Sequence, residues 1–395
     1  MKSPLPVIAV FLALLAITSI SAQDQKSRSE PTPLHKLNVR LRDADGKTVS
    51  GAHVGTRTMF RQQSLKPGIA GASGLEYINH SVSDKNGFAQ IESKDDDLRD
   101  YRGFVGVVAR HEERGLIAVA DIDCARSTTP IDITLVPECR VAGMIVSPEL
   151  AKLGRKVGWT NASLDIGGKL MMSYASLEDG NFHFFAPPGH YNIEAYGIYL
   201  GSKDVSITVP SGKREMGLTL TIAANKFALL RGLPAPELRD IVAWKNGPPL
   251  KLANLKGKCV LLEFWGHWCG PCVYNMPRTF ELYDRFAKQG LVVIGVHVDV
   301  TEAKVDSVEK LDARLMSVRK TVWHGRDIPY PVALARPQGR HSAITDDYGI
   351  HMYPRHLLID RRGNIVDLFH TDAGGVALLQ KLLDEAPAAG DGDHR

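Results

Sequence analysis

Hydrophobic and polar positions change rhythm once along this chain. From about His35 to Ile222, apolar residues alternate with polar ones between closely spaced turn signals. "LNVRLRD" puts Leu37, Val39 and Leu41 on one face before a turn at Asp45-Gly46. "SVSDKNGFAQIE" turns at Asn86-Gly87, and "IDITLV" alternates Ile131, Ile133 and Leu135. A period of two, cut by Asn-Gly and Asp-Gly, is the pattern of half-buried antiparallel strands. A second cycle starts with "CRVAGMIVS" at Cys139 and continues as "LEDGNFHFFAPPGHYNIEAYG". There Phe182/Phe184 and Tyr191/Ile193/Ala195 alternate about Pro187-Pro188-Gly189. The pattern predicts two all-β units, 35–137 and 138–223, related by a weak internal repeat.

From about Leu229 the period lengthens. "CVLLEFW" (259–265) and "LVVIGVHVDV" (291–300) are continuous apolar runs, as expected of strands covered on both faces. "CVYNMPRTFELYDRFAKQ" (272–289) spaces Tyr274, Phe280, Leu282, Tyr283 and Phe286 at helical intervals. "DSVEKLDARLMSVRK" (306–320) and "GVALLQKLLDEA" (375–386) read as further helices. "HLLID" (356–360) and "NIVDLFH" (364–370) read as strands joined at Arg362-Gly363. Strand–helix–strand alternation ending in a hairpin and a helix predicts an α/β layer domain over 224–388, before a polar tail, 389–395. The chain is therefore expected to be multidomain, with all-β sandwich modules ahead of an α/β domain.

Bulk properties narrow the function. The 395 residues suffice for two or three cores, and 44% apolar with 23% charged residues is an ordinary globular composition. A net charge of +4, with no basic run interleaved with aromatics, argues against nucleic acid as a partner. "MKSPLPVIAVFLALLAITSISAQ" has the layout of a secretory signal, with Lys2, an apolar run and small residues before a cut after Ala22. That run is short of the roughly 20 residues of a membrane span; an uncleaved anchor is the alternative. Residues 1–22 thus read as a signal peptide and 23–34 as a linker, leaving the folded part exported, in the periplasm or cell envelope.

Export changes the meaning of the five cysteines, 124, 139, 259, 269 and 272, because thiols outside the cytoplasm tend to be oxidised. An odd count leaves at least one unpaired, and Cys259 in its apolar run reads as a buried, inert thiol. Cys124 and Cys139 flank the end of the first β unit, and geometry decides whether they bridge. Asp43, Asp45 and Gly46 resemble the start of a calcium loop but lack its later ligands, so they read as a hairpin turn.

Cys269-Gly-Pro-Cys272 lies where an apolar strand gives way to a helix. A cysteine at a helix N-terminus has free backbone N–H groups and the positive dipole end beside it, which stabilise a thiolate. Pro271 suits the first helical turn. A thiolate at Cys269 could attack a partner's disulfide, and Cys272 could then displace the product. Zinc would want a second such pair, and only His267 lies near. A structural bridge across two residues constrains the unfolded chain very little. The pair is therefore read as a redox centre, with no metal and no cofactor expected.

"FWGHWCGPC" with Pro277 beyond it, "GLPAPEL" before and "YPRHLLIDRRGNIV" after resembles the thioredoxin-like family, most closely its exported TlpA/ResA-type thiol–disulfide oxidoreductases. The resemblance covers about 230–388. It implies a thioredoxin sheet, Cys269 as exposed nucleophile and Cys272 as the more buried resolving thiol. Glu263 takes the position of the buried acid that accepts the proton of Cys272, its pKa raised by burial. Trp268 shields the active-site face, Pro354 takes the place of a cis-proline facing the disulfide, and Tyr353 offers backbone groups to a bound strand. Protein disulfide substrates and a membrane or periplasmic electron donor follow as partners. Arg355 and His356 depart from the small or hydroxyl residues of many relatives, and read either as charge beside the groove or as a solvated strand start. His267 could support the thiolate or point to solvent. "DADGKTVSGAHV" and "DGNFHFFAPPGHYNIEAYG" resemble carboxypeptidase-regulatory-like, transthyretin-like β-sandwich modules, which imply spacing or recognition. Two alternatives remain open. One is a peroxidase of the same fold, which would need a threonine three residues before the cysteine, where Gly266 stands. The other is a binding protein whose redox domain is vestigial.

Overall fold

The computed structural model describes residues 34–57, 78–94, 104–123, 130–166, 170–176, 179–301, 304–338 and 342–385. The signal segment, Cys124 and the tail 389–395 lie outside the described residues.

Among the described residues, alternating residues build fourteen strands in the first compact unit, in two sets of seven. The first set is β1 (Leu34–Asp43), β2 (His53–Arg57), β3 (Ile78–Val82), β4 (Phe88–Lys94), β5 (Phe104–His111), β6 (Leu116–Asp123) and β7 (Ile131–Pro137). It forms one sheet in the order β3-β2-β5-β6-β7-β1-β4. The inward residues of β1, β4 and β7 (Val39, Ile91, Leu135) share one core with Val54, Val107 and Ala118 of β2, β5 and β6. The second set is β8 (Cys139–Val146), β9 (Thr160–Ile166), β10 (Leu170–Ser176), β11 (Asn181–Ala186), β12 (Gly189–Gly197), β13 (Ser202–Val209) and β14 (Glu215–Thr221). It makes two sheets, β10-β9-β12-β13 and β11-β8-β14.

The weak sequence repeat is a repeat of topology. In each set the first strand lies between the fourth, antiparallel, and the seventh, parallel: β4-β1-β7 and β11-β8-β14. The parallel pairs correct the expectation of a purely antiparallel region. Turn chemistry also misleads here. Asn86-Gly87 joins β3 to β4, yet β3 pairs with β2 and β4 with β1. The Asp84 carboxylate accepts the N–H groups of Asn86 and Phe88 at 2.8 Å, so this turn satisfies itself and leaves strand partners to the core. Pro187-Pro188 likewise carries the chain from β11 to β12 in another sheet. Between the two sets, Arg110 is bidentate to Glu138 (2.6 and 2.8 Å) and its guanidinium lies 3.8 Å over the Phe185 ring.

Cys139 is a free, fully buried thiol, and Cys124, its candidate partner, lies outside the described residues. Asp43 accepts from Arg114 (2.6 Å) and from the N–H groups of Asp45 and Lys47, which closes the turn.

The second compact unit comprises 147–156, 199–201 and 223–395. Its sheet holds β15 (Ile241–Lys245), β16 (Cys259–Trp265), β17 (Leu291–His297), β18 (Val332–Ala335), β19 (Arg355–Ile359) and β20 (Ile365–Leu368), in the order β15-β18-β17-β16-β19-β20. β16 runs parallel to β17 and antiparallel to β19, and every one of its residues is buried. The helices are α1 (Pro148–Lys152), α2 (Lys226–Leu230), α3 (Gly270–Phe286), α4 (Val308–Thr321), α5 (Ala343–Tyr348) and α6 (Ala373–Asp384). The apolar stripe of α3, Cys272, Met276, Phe280 and Phe286, packs with Trp265, Val293, Leu311 and Leu379 into one core. Pro277 cannot donate to the carbonyl of Val273 one turn back. The buried indole of Trp323 donates to that oxygen instead (Nε1 to O, 2.8 Å), so the helix continues past the proline.

Candidate active site

The central strand β16 delivers the chain to the site, and α3 leaves from it. Cys269 is the N-cap of α3 and is disulfide-bonded to Cys272, with Cα atoms 5.2 Å apart. The Cys272 N–H donates to Cys269 Sγ at 3.3 Å, and the Cys269 N–H to the Gly266 carbonyl at 3.1 Å. A helix N-terminus has N–H groups without intrahelical acceptors, and here one of them is aimed at the first sulfur. In this oxidised form both cysteines are buried, Cys269 6% and Cys272 1% exposed. Cys272 is the more buried of the two, and Cys269 is not freely exposed.

Trp268 and Tyr353 meet edge to face with ring centroids 5.5 Å apart, and the Tyr353–Pro354 bond is cis. The Trp268 indole donates to the Val298 carbonyl at 2.9 Å, which ties the residue before Cys269 to the end of β17. Gly266 allows this: a Cβ there would sit 2.4 Å from Trp268 Nε1 and 2.8 Å from Val298 O. Tyr353 is half-buried, and burial pushes its hydroxyl up to about 12.

Glu263 is 1% exposed. Tyr330 donates its hydroxyl to Oε2 at 2.5 Å and Thr279 to Oε1 at 3.0 Å, and His356 Nε2 lies 3.0 Å from Oε1. Among the described residues these are its hydrogen-bond partners; neither sulfur is one of them. Cys272, Met276 and Thr279 follow one buried stripe of α3, so the Thr279 end of this network lies about 10 Å along the helix from Cys272. Burial, then the neighbouring carboxylate, keep the Tyr330 hydroxyl protonated far beyond its ordinary range. The alternation of β19 turns His356 onto the α3 side of the sheet opposite Glu263, so it is not a solvated strand start.

His267 is half-buried and stacks on His297, with Nδ1 3.1 Å from His297 Nε2. His297 is fully buried at the end of β17, in register with Trp265. Burial, and then His267, push its pKa down to about 3. Asp299 accepts from Thr301 and from the Val305 N–H (2.6 Å). Sequence reasoning passed over His297, Asp299, Thr279 and Tyr330. A signal was present for two of them: His297 and Asp299 are polar residues inside an otherwise apolar run. Among the described residues no three His, Cys, Asp or Glu side chains converge as a metal-binding group.

The AhpC/TSA family model matches residues 232–368. A thiol-disulfide oxidoreductase ResA of Bacillus thuringiensis (strain Al Hakam) is 31% identical over 163 residues, which covers 41% of this chain and 83% of the relative. The chain belongs to the ResA family. Another ResA, from Geobacillus thermodenitrificans (strain NG80-2), is 32% identical over 152 residues, 38% of this chain and 76% of that one. The crystal structure of a thioredoxin-like superfamily protein, 28% identical, covers 39% of this chain and 98% of its own, with a TM-score of 0.33. As a ResA relative the protein is a thiol-disulfide oxidoreductase, and its C-terminal region is thioredoxin-like.

Proposed function

We propose that this protein is an exported reductant of protein disulfides, working through the Cys269–Cys272 pair. The observation that carries the reading is the helix-capping position of Cys269, whose sulfur already accepts a backbone N–H from Cys272. Once the pair is reduced, the same N–H and the dipole end favour a thiolate at Cys269. That thiolate attacks a substrate disulfide, forming a mixed disulfide and releasing one substrate thiolate. Cys272 gives up its proton, for which Glu263 is the buried acceptor, and attacks Cys269 Sγ. The second substrate thiolate leaves, the substrate cystine gains two electrons, and the enzyme pair is oxidised. A membrane or periplasmic dithiol donor returns the pair to its reduced form. The signal-like first 22 residues support export. The repeated seven-strand topology supports two sandwich modules of the carboxypeptidase-regulatory-like kind, serving as spacers or recognition elements.

Peroxide reduction is the weaker reading despite the AhpC/TSA match, because Gly266 occupies the threonine position and offers no hydroxyl. Reduction of insulin by the full chain with dithiothreitol tests the proposal. Turnover that depends on Cys269 is expected; equal rates for the wild type and Cys269→Ser, or peroxide consumption in its place, would sink it. A reduction potential near −270 mV marks a reductant and one near −120 mV an oxidant.

A further inference from the structure

Glu263 has three partners, and they differ in one respect. Tyr330 and Thr279 are fully buried and belong to the core. His356 is not: its side chain keeps 11% exposure and lines a cavity of about 180 Å³ with Asn275, Arg278 and Pro354. Both of its hydrogen bonds run through Nε2, to Glu263 and Thr279, while Nδ1 is not among the sealed, unpartnered atoms of the described residues. One ring nitrogen thus touches the buried carboxylate and the other is open to the cavity. Imidazole can take a proton at one nitrogen and release it from the other. A hydroxyl held as Tyr330 is held stays protonated, and Thr279 does not titrate.

We propose that His356 is the proton outlet of Glu263. The inference rests on the redox reading and concerns its second leg. When Cys272 attacks Cys269 Sγ, the bond between Cys269 and the substrate sulfur breaks and the bond between Cys269 and Cys272 forms. Once Glu263 holds the thiol proton given up by Cys272, that proton passes to His356 Nε2 and leaves from Nδ1 into the cavity. The charged and titratable groups around the ring are Glu263 of β16, Arg278 of α3, Tyr330 ahead of β18, Arg355 beside it in β19 and His370 after β20. His356 acts through Glu263 and is a positioning residue, not a group on the reacting sulfurs.

The reduced full chain, mixed with the chromogenic disulfide of thionitrobenzoate, separates the steps. Capture by Cys269 releases the first coloured thiolate, and attack by Cys272 releases the second. His356→Gln keeps a hydrogen bond to Glu263 but carries no proton. It should leave the first phase unchanged, slow the second roughly tenfold or more, and flatten its pH dependence. Added imidazole should restore the second phase of His356→Gly. A wild-type second phase in His356→Gln, or a slowing in His356→Gly that imidazole does not relieve, overturns the outlet. A first phase that survives Cys269→Ser would overturn the redox reading instead, so the two failures are distinct.

Discussion

Cys259 and Cys269 bracket the same strand, and the two ends of β16 turn the same side chain into different things. Cys259 starts the strand, fully buried, with its N–H spent on the Gly290 carbonyl. Desolvation pushes its thiol up, away from the reactive form. Cys139, buried at the start of β8, is raised for the same reason. Cys269 lies just past the other end, where the strand has stopped consuming N–H groups and a helix has not yet begun to. It therefore has a donor for its sulfur and a second sulfur within bonding reach. Backbone position, rather than the number of cysteines, separates the three.

The sharpest way to break that comparison is to exchange the losses. Cys269→Ser should lower insulin reduction by about a thousandfold or more, the scale at which removal of a nucleophile is felt. Cys259→Ala should leave turnover within about twofold and cost about 1 kcal/mol of stability from the lost sulfur packing. An equal loss of turnover from both would mean that position in the fold does not separate them. Alkylation adds a second view: at mildly acidic pH the reduced protein should be labelled first at Cys269, with Cys139 and Cys259 reacting only on unfolding, as peptide mapping would show.

A smaller effect is expected beneath the pair. Tyr330→Phe removes one donor from a buried carboxylate and leaves Glu263 short of a partner, so it should cost about 1.5–3 kcal/mol in urea unfolding. If the loss is no greater than for an exposed tyrosine, such as Tyr274→Phe, the network contributes little to the fold.

How much of this was legible in the chain depends on range. Strand β16 coincides with the apolar run read at 259–265, and α3 begins two residues before the helix read at 272. Cys269, Cys272, Trp268 and Pro354 belong to local motifs and could be named in advance. The short strands β15 and β18 and the short helices α2 and α5 escaped, because four to six residues leave too little periodicity. Thr279, Tyr330 and His356 reach Glu263 from a helix and from two other parts of the sheet unit, and nothing local announces such a meeting. The turns of the β unit failed for the opposite reason. Their chemistry was read correctly, but a turn that satisfies its own N–H groups does not choose which strand its neighbours join.

The smallest effect probes the far side of the site, where Trp265 and His297 stand in register. Folded His297 stays neutral until about pH 3, because burial, and then His267 beside it, disfavour its charged form. Unfolded, it takes up a proton near pH 6.5. Between those values the unfolded chain holds more protons, so stability is fully present above about 6.5 and drains away as pH falls. His267, also pushed down by burial, adds in the same direction. Asp299 is held below its ordinary range by Thr301 and Val305 in spite of burial, so its share is lost only below about pH 4 and lies outside the window. Between pH 7.5 and 5.5 the loss assigned to His297 is about 1 kcal/mol, read from urea midpoints. His297→Gln should remove that part of the slope while leaving the Cys269 capture rate near wild type. A slope unchanged in the variant would move the acid sensitivity away from this strand, and with it the claim that burial governs the polar groups on both sides of the pair.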